Sequence, residues 1–120
     1  MSFGELGKTY YDGEIIIKQG DVGDCMYVIQ SGKVNVISEQ NGKEIPLAVR
    51  EKGDFIGEMA LFEREVRSAT VKSASESRIL TVDKKNLLSN IKKDPTLAFR
   101  IIETMSKRIR ELSEEITQYK

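Results

Sequence analysis

Residues 57–71 read GEMALFEREVRSATV, and the chemistry of this stretch decides how the rest of the chain is understood. A carboxylate, Glu58, follows directly on Gly57; then come the small apolar turn Met59-Ala60-Leu61-Phe62 and, five residues on, Arg67 flanked by Ser68 and Ala69. The start of a short helix offers backbone N–H groups to an anion, and a glycine lets the main chain approach it closely. Arg67 carries a planar fork of donors that grips two phosphate oxygens at once. Glu58 is an acceptor that repels phosphate and suits a sugar hydroxyl. Together these residues fit a sugar bearing one negatively charged phosphate.

Upstream of this stretch, glycines and Asx residues recur at Asp12-Gly13, Gly20-Asp21, Gly23-Asp24, Ser31-Gly32, Asn41-Gly42 and Gly53-Asp54. Short apolar runs separate them, the rhythm of an antiparallel all-β roll. Strands are expected over residues 14–18, 26–30, 34–38, 45–50, 69–72 and 78–82, with an opening strand at 9–11. Asn41-Gly42 is the sharpest hairpin signal, because a type I′ turn needs positive φ at both central residues. Pro46 lacks a ladder donor and belongs at an edge or a bulge.

After Val82 the hydrophobic period lengthens. Asp83 suits an N-cap for a short helix through residue 90, and Asp94-Pro95 supplies a second cap with proline at the first helical position. The long terminal helix that follows places Ala98, Ile102, Met105, Ile109, Leu112, Ile116 and Tyr119 at alternating steps of four and three. This is a heptad seam with isoleucine at a, a choice that favours a parallel two-stranded coil. A Glu115 to Lys120 ion pair across the seam fits the same arrangement. Leu97, Phe99 and Ile101 widen the apolar surface and could hold the helix against its own domain. The competing reading is a stripe packed entirely on the chain's own barrel.

Composition sets limits. At 120 residues with 39% apolar content the chain is one ordinary domain with a core of its own. Lysine plus arginine equals aspartate plus glutamate, 19 of each, so bulk charge draws it to neither nucleic acid nor membrane. Cys25 is the single cysteine and cannot form an internal disulfide; it reads as a small packing residue. No signal-peptide pattern opens the chain and no apolar run spans a bilayer, which makes a cytoplasmic setting the expectation. The chain has no histidine. Metal sites of the imidazole-carboxylate kind lose their ligands, and serine or cysteine nucleophiles lose their usual base. The expectation is a binder with no catalytic residues and no metal, not an enzyme.

The stretch from Gly57 to Val71 resembles the phosphate-binding cassette of cyclic-nucleotide-binding domains, as found in catabolite-activator-type regulators and cyclic-nucleotide-dependent kinases. Gly13-Glu14, Ile16, Gln19-Gly20-Asp21, Gly23-Asp24, Met26-Tyr27, Ile29, Gly32 and Val34 follow the same family's run of strands and glycine turns. The resemblance extends over roughly residues 9 to 119. It implies a mainly β fold, an antiparallel β-roll or jelly-roll barrel followed by a short helix and a long C-terminal helix. The corresponding domain plan is a loose tail over residues 1–8, a β-roll over 9–82 and C-terminal helices over 83–120.

The resemblance also assigns roles. Arg67, Ser68, Ala69 and Ala60 face the cyclic phosphate, and Gly57, Glu58 and Met59 the ribose. Leu61 and Phe62 belong to the core, and Arg64 carries no role. Val36 and Leu47 are the expected apolar wall for the base. An ungapped placement of the terminal helix puts Arg108 near the base, Leu112 where the family has a hydroxyl donor, and Ser113 where a residue reaches over from a partner subunit. Leu112 cannot make that hydrogen bond. Ser68 is compatible with either cyclic AMP or cyclic GMP. No helix-turn-helix pattern follows Tyr119, so nucleic acid contact is not expected of this chain alone. The implied function is a sensor for cyclic AMP, or less readily cyclic GMP, working as a homodimer through its terminal helix on a separate effector or a fused output domain. The rival implication is a degenerate β-roll that serves only for dimerisation or scaffolding.

Overall fold

A computed structural model describes residues 7–62 and 64–118, without the side chains of Met59, Phe62, Glu65 and residues 115–118. The expectations for residues 1–6, the Phe62 side chain, Ile116, Tyr119 and the Glu115 to Lys120 pair fall outside this description.

The described residues form ten strands and three helices: β1 Lys8–Tyr10, β2 Ile15–Ile17, β3 Val22–Gly23, β4 Met26–Ser31, β5 Lys33–Gln40, β6 Lys43–Glu51, β7 Phe55–Ile56, α1 Met59–Phe62, β8 Glu65–Val66, β9 Thr70–Ser73, β10 Ser77–Val82, α2 Lys84–Lys93 and α3 Thr96–Gln118. The expected mainly β architecture with a short and a long terminal helix is what the chain adopts. The strands make two four-stranded antiparallel sheets, ordered β1-β10-β4-β7 and β2-β9-β5-β6, and a small pair, β3-β8. Ile29, Ile56 and Ile79 from the first sheet meet Ile17, Val34 and Val71 from the second in one core. Burying such side chains contributes roughly 1.5–3 kcal/mol each.

Local chemistry sets the strand ends. The opening strand stops at Tyr10 because the Tyr11 N–H turns to the Glu14 carboxylate (2.8 Å) and the Glu14 N–H to the Tyr11 carbonyl (3.0 Å). Glu14 is therefore spent in a turn and β2 begins at Ile15. At the β5–β6 hairpin Asn41 and Gly42 both have positive φ, 52° and 76°, as the tight turn demands. β6 is an edge strand, and its register with β5 slips beside Pro46: Ile37 pairs with Pro46 and Val36 with Ala48, leaving Leu47 as the extra residue. The ring nitrogen that cannot donate sits where the ladder is already interrupted.

The chain divides into two compact units, one ending at Lys85 and one beginning at Asn86. In the second, Asp94 caps α3: its Oδ1 accepts from the Thr96 N–H (3.2 Å) and from the Thr96 hydroxyl (2.6 Å). Along α3, Ala98 and Met105 are half-buried while Ile102, Ile109 and Leu112 are 58–66% exposed. Leu97 and Ile101 are half-buried. Phe99, expected to help hold the helix, is instead 68% exposed. No helix of the described residues is long and apolar enough to cross a membrane.

Candidate functional site: a buried guanidinium between two glycines

Three strands of two residues each position the site, and all three were beyond the reach of periodicity. β3 pairs with β8, Val22 opposite Val66 and Gly23 opposite Glu65. That pairing delivers the next residue, Arg67, to the turn at Gly20-Asp21. The Arg67 N–H donates to the Asp21 carbonyl (2.7 Å) and the Gly20 N–H donates to the Arg67 carbonyl (2.9 Å). The main chain on both sides of Arg67 is thus fixed before its side chain makes any contact. β7 in turn pairs with β4, Tyr27 opposite Ile56, and places Gly57 next to the same point.

The Arg67 side chain runs inward and is only 8% exposed. Its Nη2 donates to the Cys25 carbonyl (2.7 Å) and lies 3.7 Å from Cys25 Sγ; its Nη1 donates to the Gly57 carbonyl (3.3 Å). The Tyr27 ring centroid is 5.8 Å from Arg67 Cζ, within range of a cation–π attraction. Burial, and next to it a hydrogen bond with Cys25, push the Tyr27 phenol up to about 12, so the ring stays neutral beside the cation. Among the described residues no carboxylate pairs with Arg67: the ion pairs found are Lys18–Glu39, Lys33–Glu51 and Lys72–Glu44. A buried cation whose acceptors are neutral carbonyls is expensive, and an anion offsets that cost. The two carbonyls and the Cys25 sulfur engage three of the guanidinium's five N–H donors, which leaves two.

The other cassette residues lie around this group. Gly57 has φ 72°, a conformation that side chains other than glycine rarely adopt. Its carbonyl accepts from the Ala60 N–H (3.2 Å) as well as from Arg67, so one oxygen ties the start of α1 to the guanidinium. The Ala60 N–H, expected to face the phosphate, is in this structure engaged by that turn. A four-residue helix has no interior, and its amides close on the nearest carbonyls. Ala60 and Leu61 are buried, the latter as expected of core. Glu58 is half-buried directly after Gly57, and Ser68 and Ala69 form the bend after Arg67, exposed and half-buried respectively. Met59 opens α1, and Arg64 is exposed.

The expected base wall divides. Val36, central in β5 opposite Val71 and Ala48, packs partly buried against the core. Leu47 is the bulge residue of β6 and is 58% exposed. Arg108, Leu112 and Ser113 all lie on α3, half-buried, exposed and exposed in turn. Cys25, expected as a small packing residue, immediately precedes β4, and its carbonyl and thiol both address Arg67. Nothing in the sequence marks a backbone carbonyl for such a role. No cluster of three or more metal-ligating side chains occurs among the described residues.

The sequence of residues 7–94 matches the family model described as the cyclic nucleotide-binding domain, nearly three quarters of the chain. This chain belongs to the cyclic nucleotide-binding domain family. Among its relatives, a cAMP-dependent protein kinase regulatory subunit from Mucor circinelloides f. lusitanicus is 40% identical over 81 residues, 67% of this chain and 19% of that protein. A cyclic AMP receptor protein from Thermus thermophilus is 30% identical over 110 residues, 91% of this chain and 51% of that protein. In three dimensions, the crystal structure of the Thermus thermophilus catabolite activator protein superposes with a TM-score of 0.77 at 29% identity, covering 95% of this chain and 54% of that one. The chain therefore spans from about a fifth to about half of the length of these curated relatives.

Proposed function

We propose that this domain senses a cyclic nucleotide, cyclic AMP in preference to cyclic GMP, and passes on occupancy through the position of α3. The observation that carries the reading is the Arg67 guanidinium, buried, fixed on both sides by main-chain bonds and lacking a carboxylate partner among the described residues. The cyclic phosphate supplies the missing charge and takes donors that Cys25 and Gly57 leave over. Ser68, Ala69 and Ala60 complete the phosphate site, the last if its turn bond to Gly57 yields. Glu58 accepts from the ribose 2′-hydroxyl, with Gly57 and Met59 contributing main chain beside it. Val36 and Leu47 form the wall for the base, and Arg108, Leu112 and Ser113 keep the base-facing roles that family membership suggests.

The preference for cyclic AMP rests on the relatives, whose names specify cyclic AMP. The same relatives are named as a regulatory subunit and a receptor, which supports a binder in place of an enzyme. The output is a population shift. Ligand moves α3 only as far as it binds one arrangement better than the other. A second copy of the chain is the partner for α3, whose Ile102, Ile109 and Leu112 stand exposed at heptad spacing. A separate effector or an output domain joined to this one receives the signal. An unpaired single cysteine suits a reducing, cytoplasmic setting.

Calorimetric titration of wild type and Arg67→Ala with cyclic AMP and cyclic GMP tests the reading. Removing the cation leaves the phosphate desolvated and unpaired, at a cost of roughly 2–5 kcal/mol. That is a loss of about 30-fold to several thousandfold in affinity. Equal affinities for the two proteins would remove Arg67 from the site. Absence of binding by wild type would leave a β-roll that dimerises through α3 and senses nothing.

A further inference from the structure

We infer that Gly23 is a positioning residue for the site, holding open the slot in which the Arg67 guanidinium lies. The inference rests on the function proposed above and adds a residue to which neither composition nor cassette spacing gave a role. Gly57 is required twice over. Its φ of 72° excludes most side chains, and a Cβ placed there meets Arg67 Nη1 at 2.5 Å. Gly23 differs. Its φ lies outside the positive region, so the main chain of β3 would accept any residue. What forbids a side chain is the space: a Cβ at Gly23 would overlap Arg67 Nε, Cζ and Nη2, the guanidinium itself. A side chain at Gly23 would thus collide with Nε, Cζ and Nη2 of the guanidinium, and one at Gly57 with Nη1.

The neighbouring bonds make this slot narrow. The Arg67 main chain is held by Gly20 and Asp21, and its Nη2 by the Cys25 carbonyl, two residues after Gly23. A methyl at position 23 cannot be accommodated by sliding the strand, because β3 and β8 are paired across Gly23 itself. The flexible element is the arginine side chain. It must swing off its two carbonyls, and the donors left for a phosphate move with it. Recognition of an anion by a planar fork depends on direction as well as charge.

Four proteins decide the matter: wild type, Gly23→Ala, Arg67→Ala and the double variant, each titrated calorimetrically with cyclic AMP and unfolded thermally without ligand. The expected result is that Gly23→Ala binds about tenfold to a hundredfold more weakly than wild type, the equivalent of losing a charge-assisted hydrogen bond. In the Arg67→Ala background the same methyl costs no further affinity. The thermal midpoint drops for Gly23→Ala in the presence of Arg67 and recovers when Arg67 is also replaced, since the methyl then has room. Should Gly23→Ala fail to fold, recovery of a folded double variant still identifies the guanidinium as the obstacle. Wild-type affinity in Gly23→Ala, or a methyl that destabilises equally with and without Arg67, overturns the inference. If wild type itself binds no cyclic nucleotide, the functional reading fails separately, and the stability arm alone decides whether Gly23 makes room for Arg67.

Discussion

The β-roll and the terminal helix treat apolar surface in opposite ways. In the roll, Val34, Ile29, Ile79 and Val82 are shut away from solvent almost completely. Along α3, Phe99, Ile102, Ile109 and Leu112 stand mostly exposed. The roll is finished by its own residues, its two sheets contributing equally to one core. The helix carries a stripe whose spacing suits a partner, with ordinary charges between the apolar positions. Apolar surface is closed off in the one unit and left open in the other.

The sharpest way to break this comparison is to damage each region and measure the same quantity. Ile29→Ala removes a side chain packed on all sides and is expected to destabilise the fold by about 2–5 kcal/mol, with the midpoint of urea unfolding falling accordingly. Ile102→Ala on α3 is expected to change the monomer's stability by no more than roughly 0.5 kcal/mol, as for other exposed positions. Equal losses at the two sites would mean that the helix stripe is as much core as the roll is.

This contrast was partly legible in the sequence, for physical reasons that differ by region. The long strands and α3 announce themselves because their periods, two and three and a half, repeat often enough to be counted. Asn41-Gly42 is legible because one turn type demands it. β3, β7 and β8 are two residues each, too short for any period, yet they are what bring Gly23, Gly57 and Arg67 together. Arg67 stood out by residue type and neighbours. Its partners did not, because the Cys25 carbonyl is a main-chain atom 42 positions away and Gly23 contributes only an absence. Contacts of that kind exist once the chain is folded, and no local rule anticipates them.

A second test addresses the helix alone. If α3 pairs with a second copy, each exposed isoleucine of the seam becomes buried on association and contributes roughly 1.5–3 kcal/mol. Ile109→Asp is therefore expected to weaken self-association about tenfold to a hundredfold or more, read by sedimentation velocity over a range of protein concentrations. The unfolding midpoint of a dilute sample should hardly move. Wild type that remains monomeric at high concentration, with and without cyclic AMP, would assign the stripe to another partner.

The smallest effect concerns how α3 begins, and it distinguishes the helix from the roll by pH. The Asp94 carboxyl is held below its ordinary value of 3.8, first by the Thr96 hydroxyl, which outweighs the opposing effect of desolvation, and then by the Thr96 N–H. A carboxyl with a lowered value in the folded state binds fewer protons there than in the unfolded chain, so its contribution is complete above 3.8 and disappears as pH falls through the lower, folded value. Glu39 in the roll is lowered in the same direction by Lys18, so acid weakens both regions and a single titration cannot separate them. Asp94→Asn can, because asparagine still caps a helix but does not titrate. The helical signal near 222 nm should differ between wild type and Asp94→Asn at neutral pH by a small amount in favour of wild type, and the difference should close below the ordinary carboxylate range. A difference that persists unchanged into acid would show that α3 draws nothing from the charge at its start, and that the cap acts through hydrogen-bond geometry alone.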